Sequence, residues 1–262
     1  FQHVDVADPA SVAAGFEAQG FDVRAPCDFT GTNATVSNSE TQFSQNLTTL
    51  ITVVRDVPQT EDVIFGKQNF GFAKGLERII LCSTLSPRYV RDLRARIPAH
   101  IILIDAPMSG AQVAAQQARL SFMLGGATDD LDQAQPLFDA MGSHFHRMGE
   151  FGSGMQAKVL NNLLAASHTA MTRLVLDWAD EAGLDERKVL DLIHTSSGQN
   201  WFASGFDDIE FSRDGLSADN TIGILIKDVE SALDAAPAGS DTSLPTAVQA
   251  QIRSLKPRTR RD

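Results

Sequence analysis

Three short apolar runs, LTTLITVV, RIILCS and HIILID, are spaced between residues 47 and 105 with helix-like stretches between them. The pattern predicts a strand over 48–54, a polar helical run to Gly66, a strand over 79–82, a helix over 89–96 and a strand over 101–104. Strands that alternate with helices argue for a parallel sheet wrapped by those helices. The runs are almost continuously apolar, as expected of strands covered on both faces. In such sheets the functional loops gather at the carboxyl ends of the strands. Val54-Arg55, Ser83-Thr84 and Ser109-Gly110 all stand just past strands and so fall on one rim. Beyond about Phe151 the strand signals stop and a helical period takes over. The expectation is an α/β protein, with a Rossmann-like parallel-sheet domain over 1–150 followed by an all-helical domain over 151–262.

Two segments carry chemistry. The first is a long helical stretch from about Gly154 to Gly183, in which Lys158 is the only formally charged side chain between Met155 and Met171. Asn162 lies one turn further on, on the same face. An ammonium among Met, Val, Leu and Ala loses hydration and some basicity, which suits a proton carrier. The other reading is a lysine that runs its methylenes over apolar surface with its charge in water. The second segment, DAPMSGAQVAAQQARLSFMLGG (105–126), is a strand that breaks into small residues and then resumes as strand-like sequence.

Four motifs in order, CSTLSP (82–87), DAPMSG (105–110), GSGMQAKVLNN (152–162) and IKDVESALDAA (226–236), make the chain resemble the beta-hydroxyacid dehydrogenases. These include the 3-hydroxyisobutyrate and tartronate semialdehyde enzymes and are related to 6-phosphogluconate dehydrogenase. The resemblance covers roughly residues 45 to 250. It implies an NAD(P)-dependent oxidoreductase acting on the hydroxyl of a small 3-hydroxy acid, with Lys158 as general acid and base. It also implies that Ser109, Gly110 and Asn162 hold the substrate, and that Thr84, Lys227 and Val54 line the cofactor, with Asp228 orienting Lys227 or capping structure. On the same grounds the chain stops short of the family's last helices and reads as truncated.

The resemblance fails at the start. Aligned on AQGFDV, the family's three turn glycines fall on Val4, Val6 and Pro9, and the first glycine is Gly15. Asp8 and Pro9 suit the start of a helix. Their side chains crowd a pyrophosphate, and the Asp8 carboxylate repels it. Asp28, near the end of a second strand, either holds the adenosine ribose, which favours NAD over NADP, or makes an Asx turn. Ala111 replaces a second glycine after Ser109-Gly110. These departures keep a second reading open, a family member that binds a small acid or a protein partner without redox turnover. A third, an imine reductase, is disfavoured by Lys158.

A formal charge of −11 argues against a nucleic-acid surface. The absence of a long apolar span argues against a membrane. Two cysteines, Cys27 and Cys82, make no disulfide framework and suggest a reducing, cytoplasmic setting. His144 and His146 read as edge-strand surface residues without the partners of a metal site. Asp177–Glu186 reads as the solvated end of the long helix, and the basic Lys256–Arg261 as a solvated tail. The apolar circumference of the long helix predicts a homodimer or homotetramer.

Overall fold

The computed structural model describes residues 24–25, 35–36, 40–110, 114, 115, 117–217 and 220–259. Val4, Val6, Asp8, Pro9, Cys27, Asp28 and Ala111 lie outside the described residues. The chain divides into two compact units, Phe1–Lys158 and Val159–Asp262.

In the first unit, β1 (Arg24–Ala25) and β2 (Thr35–Val36) form a small parallel pair of their own. The main sheet contains β3 (Thr49–Thr52), β4 (Arg78–Leu81), β5 (Ile102–Asp105), β6 (Met108–Ser109), β7 (Leu120–Gly125) and β8 (Gly142–Gly149). β3, β4 and β5 are parallel, with Leu50, Ile79 and Leu103 in register. As the apolar runs require, both faces are covered. Ile79, Leu81 and Leu103 pack with Ile64, Phe70, Val90 and Leu93, whereas Ile80, Cys82 and Ile104 pack with Phe122, Leu137 and Phe138.

The far side of the sheet departs from the parallel expectation. β7 runs antiparallel to β5 and β6, pairing Asp105 with Gly125 and Met108 with Phe122, and β8 then lies parallel to β7. Only about ten residues separate Ser109 from Leu120, too few for the crossover that a parallel return needs. β8 does have its crossover, helix α4 (Thr128–Asp139).

Among the described residues, the earlier α-helices are α1 (Glu40–Ser44), α2 (Val57–Ile64) and α3 (Pro87–Arg96). α2 starts where the Asp56 carboxylate accepts the Gln59 amide, and α3 where Ser86 accepts that of Tyr89, each with proline in the first turn. These caps fix the loops that follow β3 and β4 along one edge of the sheet.

Helix α5 (Ser153–Glu181) carries the chain into the second unit, where the described elements are all helical: α6 (Glu186–Thr195), α7 (Trp201–Ser204), α8 (Thr221–Asp234) and α9 (Ser243–Arg253). α5 ends at Gly183, whose φ of +73° favours glycine. Gly183 N donates to Asp180 O and Leu184 N to Ala179 O, closing the helix in a Schellman motif. Ala166 and Ala170 of α5 allow close packing of Ile222, Leu225 and Val229 of α8 and Ile252 of α9. A second cluster joins Leu176 to Leu190, Phe202 and Phe206.

Two expectations are corrected here. The acidic stretch 177–186 and Arg258 of the basic tail are not simply solvated, because each finds the other. The Arg258 side chain, 6% exposed, places Nε 2.6 Å from Glu186 Oε2, Nη1 2.8 Å from Asp177 Oδ1 and Nη2 2.8 Å from Asp180 Oδ2. Arg173 donates to the carbonyls of Ser212, Asp214 and Lys256, fastening the backbone just before Arg258. Local sequence reads charge as solvated, but a partner 72 positions away changes its environment. His144 and His146 are exposed on β8, as expected.

Candidate active site

Lys158 is held by the way α5 meets the sheet. A Cβ on Gly154 would overlap Met123 O, and one on Gly125 would overlap Asp105 Oδ1 and stand 2.8 Å from Gly154 N. Glycine at both positions therefore lets the helix start lie directly on β7. Between them sits Asp105, fully buried at the end of β5. Its Oδ1 accepts the Gly152 amide at 2.7 Å and its Oδ2 the Met155 amide at 2.5 Å. Burial pushes the Asp105 carboxyl up to about 6, while the two amides and the Arg91 guanidinium pull the other way. Met155 is tied on its other side, its Sδ accepting the Leu85 amide at 3.3 Å. Close to one turn later Lys158, 8% exposed, donates from Nζ to Ser109 Oγ at 3.0 Å.

The rest of the predicted rim is arranged at the carboxyl ends of the parallel strands. Past β3 the Val54 amide donates to Ser83 Oγ, past β4, at 2.8 Å, so the two loops are stitched together. Thr84 is the half-buried residue that follows. Ser109 is the last residue of β6, which extends the line of β5 along β7, and Gly110 follows it. Gly110 has φ +134°, and a Cβ there would run into that of Ala114, so no other residue fits without strain.

In the second unit Asn162, one turn beyond Lys158 on α5, donates from Nδ2 to Asp228 Oδ2 at 2.6 Å. Lys227 Nζ lies 3.1 Å from Asp228 Oδ1. The buried Asp228 thus fixes the amide of Asn162 and the ammonium of Lys227 together. Sequence had given it only the second task.

Two residues were placed by the sequence reading without a task, Ser83 on the rim and Asp105 in the DAPMSG motif. Asp105 left a signal. Asp105 is the one charge in the run IILIDAP, and a carboxylate at a strand end must find donors if it is buried. What could not be seen is that its donors lie in the GSGM segment 47 to 50 positions later.

Comparison with known proteins bears on the family and the fold. Residues 10–149 match the family model of the NAD binding domain of 6-phosphogluconate dehydrogenase, a match that begins just after Pro9. Residues 152–261 match that of the NAD-binding domain of NADP-dependent 3-hydroxyisobutyrate dehydrogenase. Among curated proteins, the NAD-dependent L-serine dehydrogenase of Pseudomonas aeruginosa is 35% identical over 124 residues, covering 47% of this chain and 42% of that protein. Human mitochondrial 3-hydroxyisobutyrate dehydrogenase is 32% identical over 165 residues, 60% of this chain and 49% of that protein. The chain thus spans about half the length of the curated relatives it matches. Among solved structures, the 3-hydroxyisobutyrate dehydrogenase of Mycobacterium tuberculosis with L-serine superposes with a TM-score of 0.75. It is 24% identical, and the alignment covers 94% of this chain and 92% of that one. No helix among the described residues is long and apolar enough to cross a membrane, and no group of three or more His, Cys, Asp or Glu residues there could hold a metal ion.

Proposed function

The chain belongs to the beta-hydroxyacid dehydrogenase family, and on that premise we propose that it oxidises the hydroxyl of a small 3-hydroxy acid with NAD or NADP, Lys158 carrying the proton. The observation behind this is the placement of Lys158 Nζ, largely out of water and 3.0 Å from Ser109 Oγ beside the strand ends. The residues present fit the nicotinamide end of a dinucleotide. The loops after β3 and β4 are joined through Ser83, Val54 offers an apolar wall, and Thr84 offers a hydroxyl for a ribose. When bound, the nicotinamide supplies the hydride acceptor.

The chain's own groups do the rest. Neutral Lys158 takes the substrate O–H proton as the carbon gives up its hydride and the alcohol becomes a carbonyl; in the reverse direction the ammonium returns the proton. The Ser109 hydroxyl and the Gly110 amide receive the carboxylate, a task suited to a residue without a Cβ. Asn162 and Lys227, both held by Asp228, keep the substrate and cofactor roles implied by the resemblance. Asp28 is proposed to favour NAD. Residues 1–150 and 151–262 are proposed as the cofactor and helical domains.

Two relatives point to one substrate skeleton. L-Serine and 3-hydroxyisobutyrate both carry a carboxylate and a primary alcohol on one central carbon, and differ there in an ammonium against a methyl group. Assaying both with NAD and with NADP is the direct test. The second reading, binding without turnover, is favoured by Val4, Val6 and Pro9 at the glycine positions. Titration with NADH and NADPH, followed by fluorescence, separates the two. If folded protein shows no saturable binding of either, the dehydrogenase reading is eliminated. A homodimer is also proposed, through the exposed row Leu160, Leu164, Met171 and Trp178 on α5.

A further inference from the structure

We propose that Asp105 is a positioning residue for this reaction, holding Lys158 in place by capping α5 from the end of β5; the proposal rests on the dehydrogenase reading of Lys158. Two amides at the start of α5, those of Gly152 just before it and of Met155 in its first turn, go to the two oxygens of one carboxylate. Charge-assisted bonds to both oxygens fix the helix in rotation as well as in height, and the carboxylate meets the positive end of the helix dipole. Asp105 is itself held, being fully buried beneath Gly125, where no side chain fits.

Lys158 follows Met155 by three residues, a rise of about 4.5 Å along the helix. Ser109 follows Asp105 by four residues, on β6, which pairs with the same strand, β7, as β5 does. Asp105, the first turn of α5, Lys158 and Ser109 therefore form a closed circuit whose last link is the 3.0 Å bond from Nζ to Oγ. The Leu85 amide on Met155 Sδ adds the loop that carries Thr84 to the same circuit. Asp105 is fully buried and acts on the reaction only through the helix. An asparagine there keeps one acceptor and turns an NH2 toward the other amide, so the helix start must shift or fray. A shift of about 1 Å at the reacting group is enough to cost roughly a hundredfold in rate.

The test compares Asp105→Asn with the unaltered protein in two ways. The first is labelling of lysines by trinitrobenzenesulfonate, quantified by peptide mass spectrometry, with the 81%-exposed Lys67 as internal reference. The Lys158 to Lys67 ratio is expected to rise about tenfold as the first turn opens. An unchanged ratio in a folded variant overturns the proposal. The second is a double-mutant cycle on kcat. Asp105→Asn is expected to lower kcat about 10- to 100-fold alone and less than about threefold in a Lys158→Ala background. Losses that multiply independently overturn the proposal, since a merely structural defect does not depend on Lys158. If the unaltered protein oxidises no hydroxy acid, the dehydrogenase reading fails while the labelling ratio still decides the capping. Should Asp105→Asn not fold, amide exchange in the unaltered protein decides: the Gly152 and Met155 amides are expected to exchange as slowly as those of β4, and exchange at loop rates overturns the cap.

Discussion

Replacing Arg258 by methionine tests the charged clasp of the second unit. The substitution keeps an unbranched, largely apolar stem and removes three ion pairs, to Glu186, Asp180 and Asp177. The three are not equal. The Asp177 side chain is 56% exposed, so its pair is screened and contributes below about 1 kcal/mol. The Glu186 and Asp180 side chains are 8% and 13% exposed, and they lose a buried cation. Among the described residues Glu186 then keeps Arg213, at 2.7 Å. Breaking a buried pair from one side costs about 3–5 kcal/mol. With a urea slope of roughly 2 kcal/mol per M, the midpoint falls by about 2 M. Trp178 and Trp201, the chain's two tryptophans, both lie in this unit, so fluorescence reads the transition. The pH dependence sharpens the test. Burial pushes the Glu186 carboxyl up, but the Arg213 and Arg258 side chains together pull it further down, leaving it below the ordinary 4.5. A depressed carboxylate stabilises the fold above its unfolded value and loses that contribution as pH falls through the folded one. The difference between the two proteins is therefore full at pH 7 and shrinks below about pH 4.5. A midpoint change under about 0.3 M at pH 7, or a difference that persists unchanged at pH 3, would refute the reasoning.

Lys158→Ala is expected to lower kcat about 10²- to 10⁴-fold with NADH affinity unchanged by fluorescence titration; parallel losses in both would assign the lysine a structural role. Gly125→Ala puts a methyl group on Asp105 Oδ1 and 2.8 Å from Gly154 N, so a loss of about 2–4 kcal/mol is expected in chemical unfolding, and a neutral result would contradict the close approach of α5 to β7. Asn162→Ala removes a donor from the buried Asp228 and is expected to raise KM for the hydroxy acid more than it lowers kcat, as steady-state kinetics would show. Light scattering is expected to give a dimer that Leu164→Glu with Met171→Glu converts to a monomer; a monomeric unaltered chain would refute the apolar row as an interface.

Much of the first unit could be read directly. Ile79–Leu81 and Ile102–Ile104 are apolar on both faces because both faces are buried, and Asp56-Val57-Pro58 and Ser86-Pro87 announce the helices that follow. Lys158, Ser109, Gly110 and Thr84 were legible as candidates because a charge in an apolar stripe and small residues past a strand stand out locally. The reversal of β7 was less visible, since it depends on counting too few residues for a crossover rather than on any residue type.

Periodicity and turn chemistry are properties of neighbours in the chain, and from them the sequence by itself determined the elements, the order of strand and helix, and the four motifs that mark the family. Tertiary structure alone decided the partners of the buried charges. Asp105 reaches the GSGM amides, Asn162 reaches Asp228, and Arg258 reaches Glu186, at separations of 47 to 72 positions. A carboxylate or guanidinium looks the same in sequence whether water or a distant donor solvates it. Only the folded chain brings the second group near enough to replace the water.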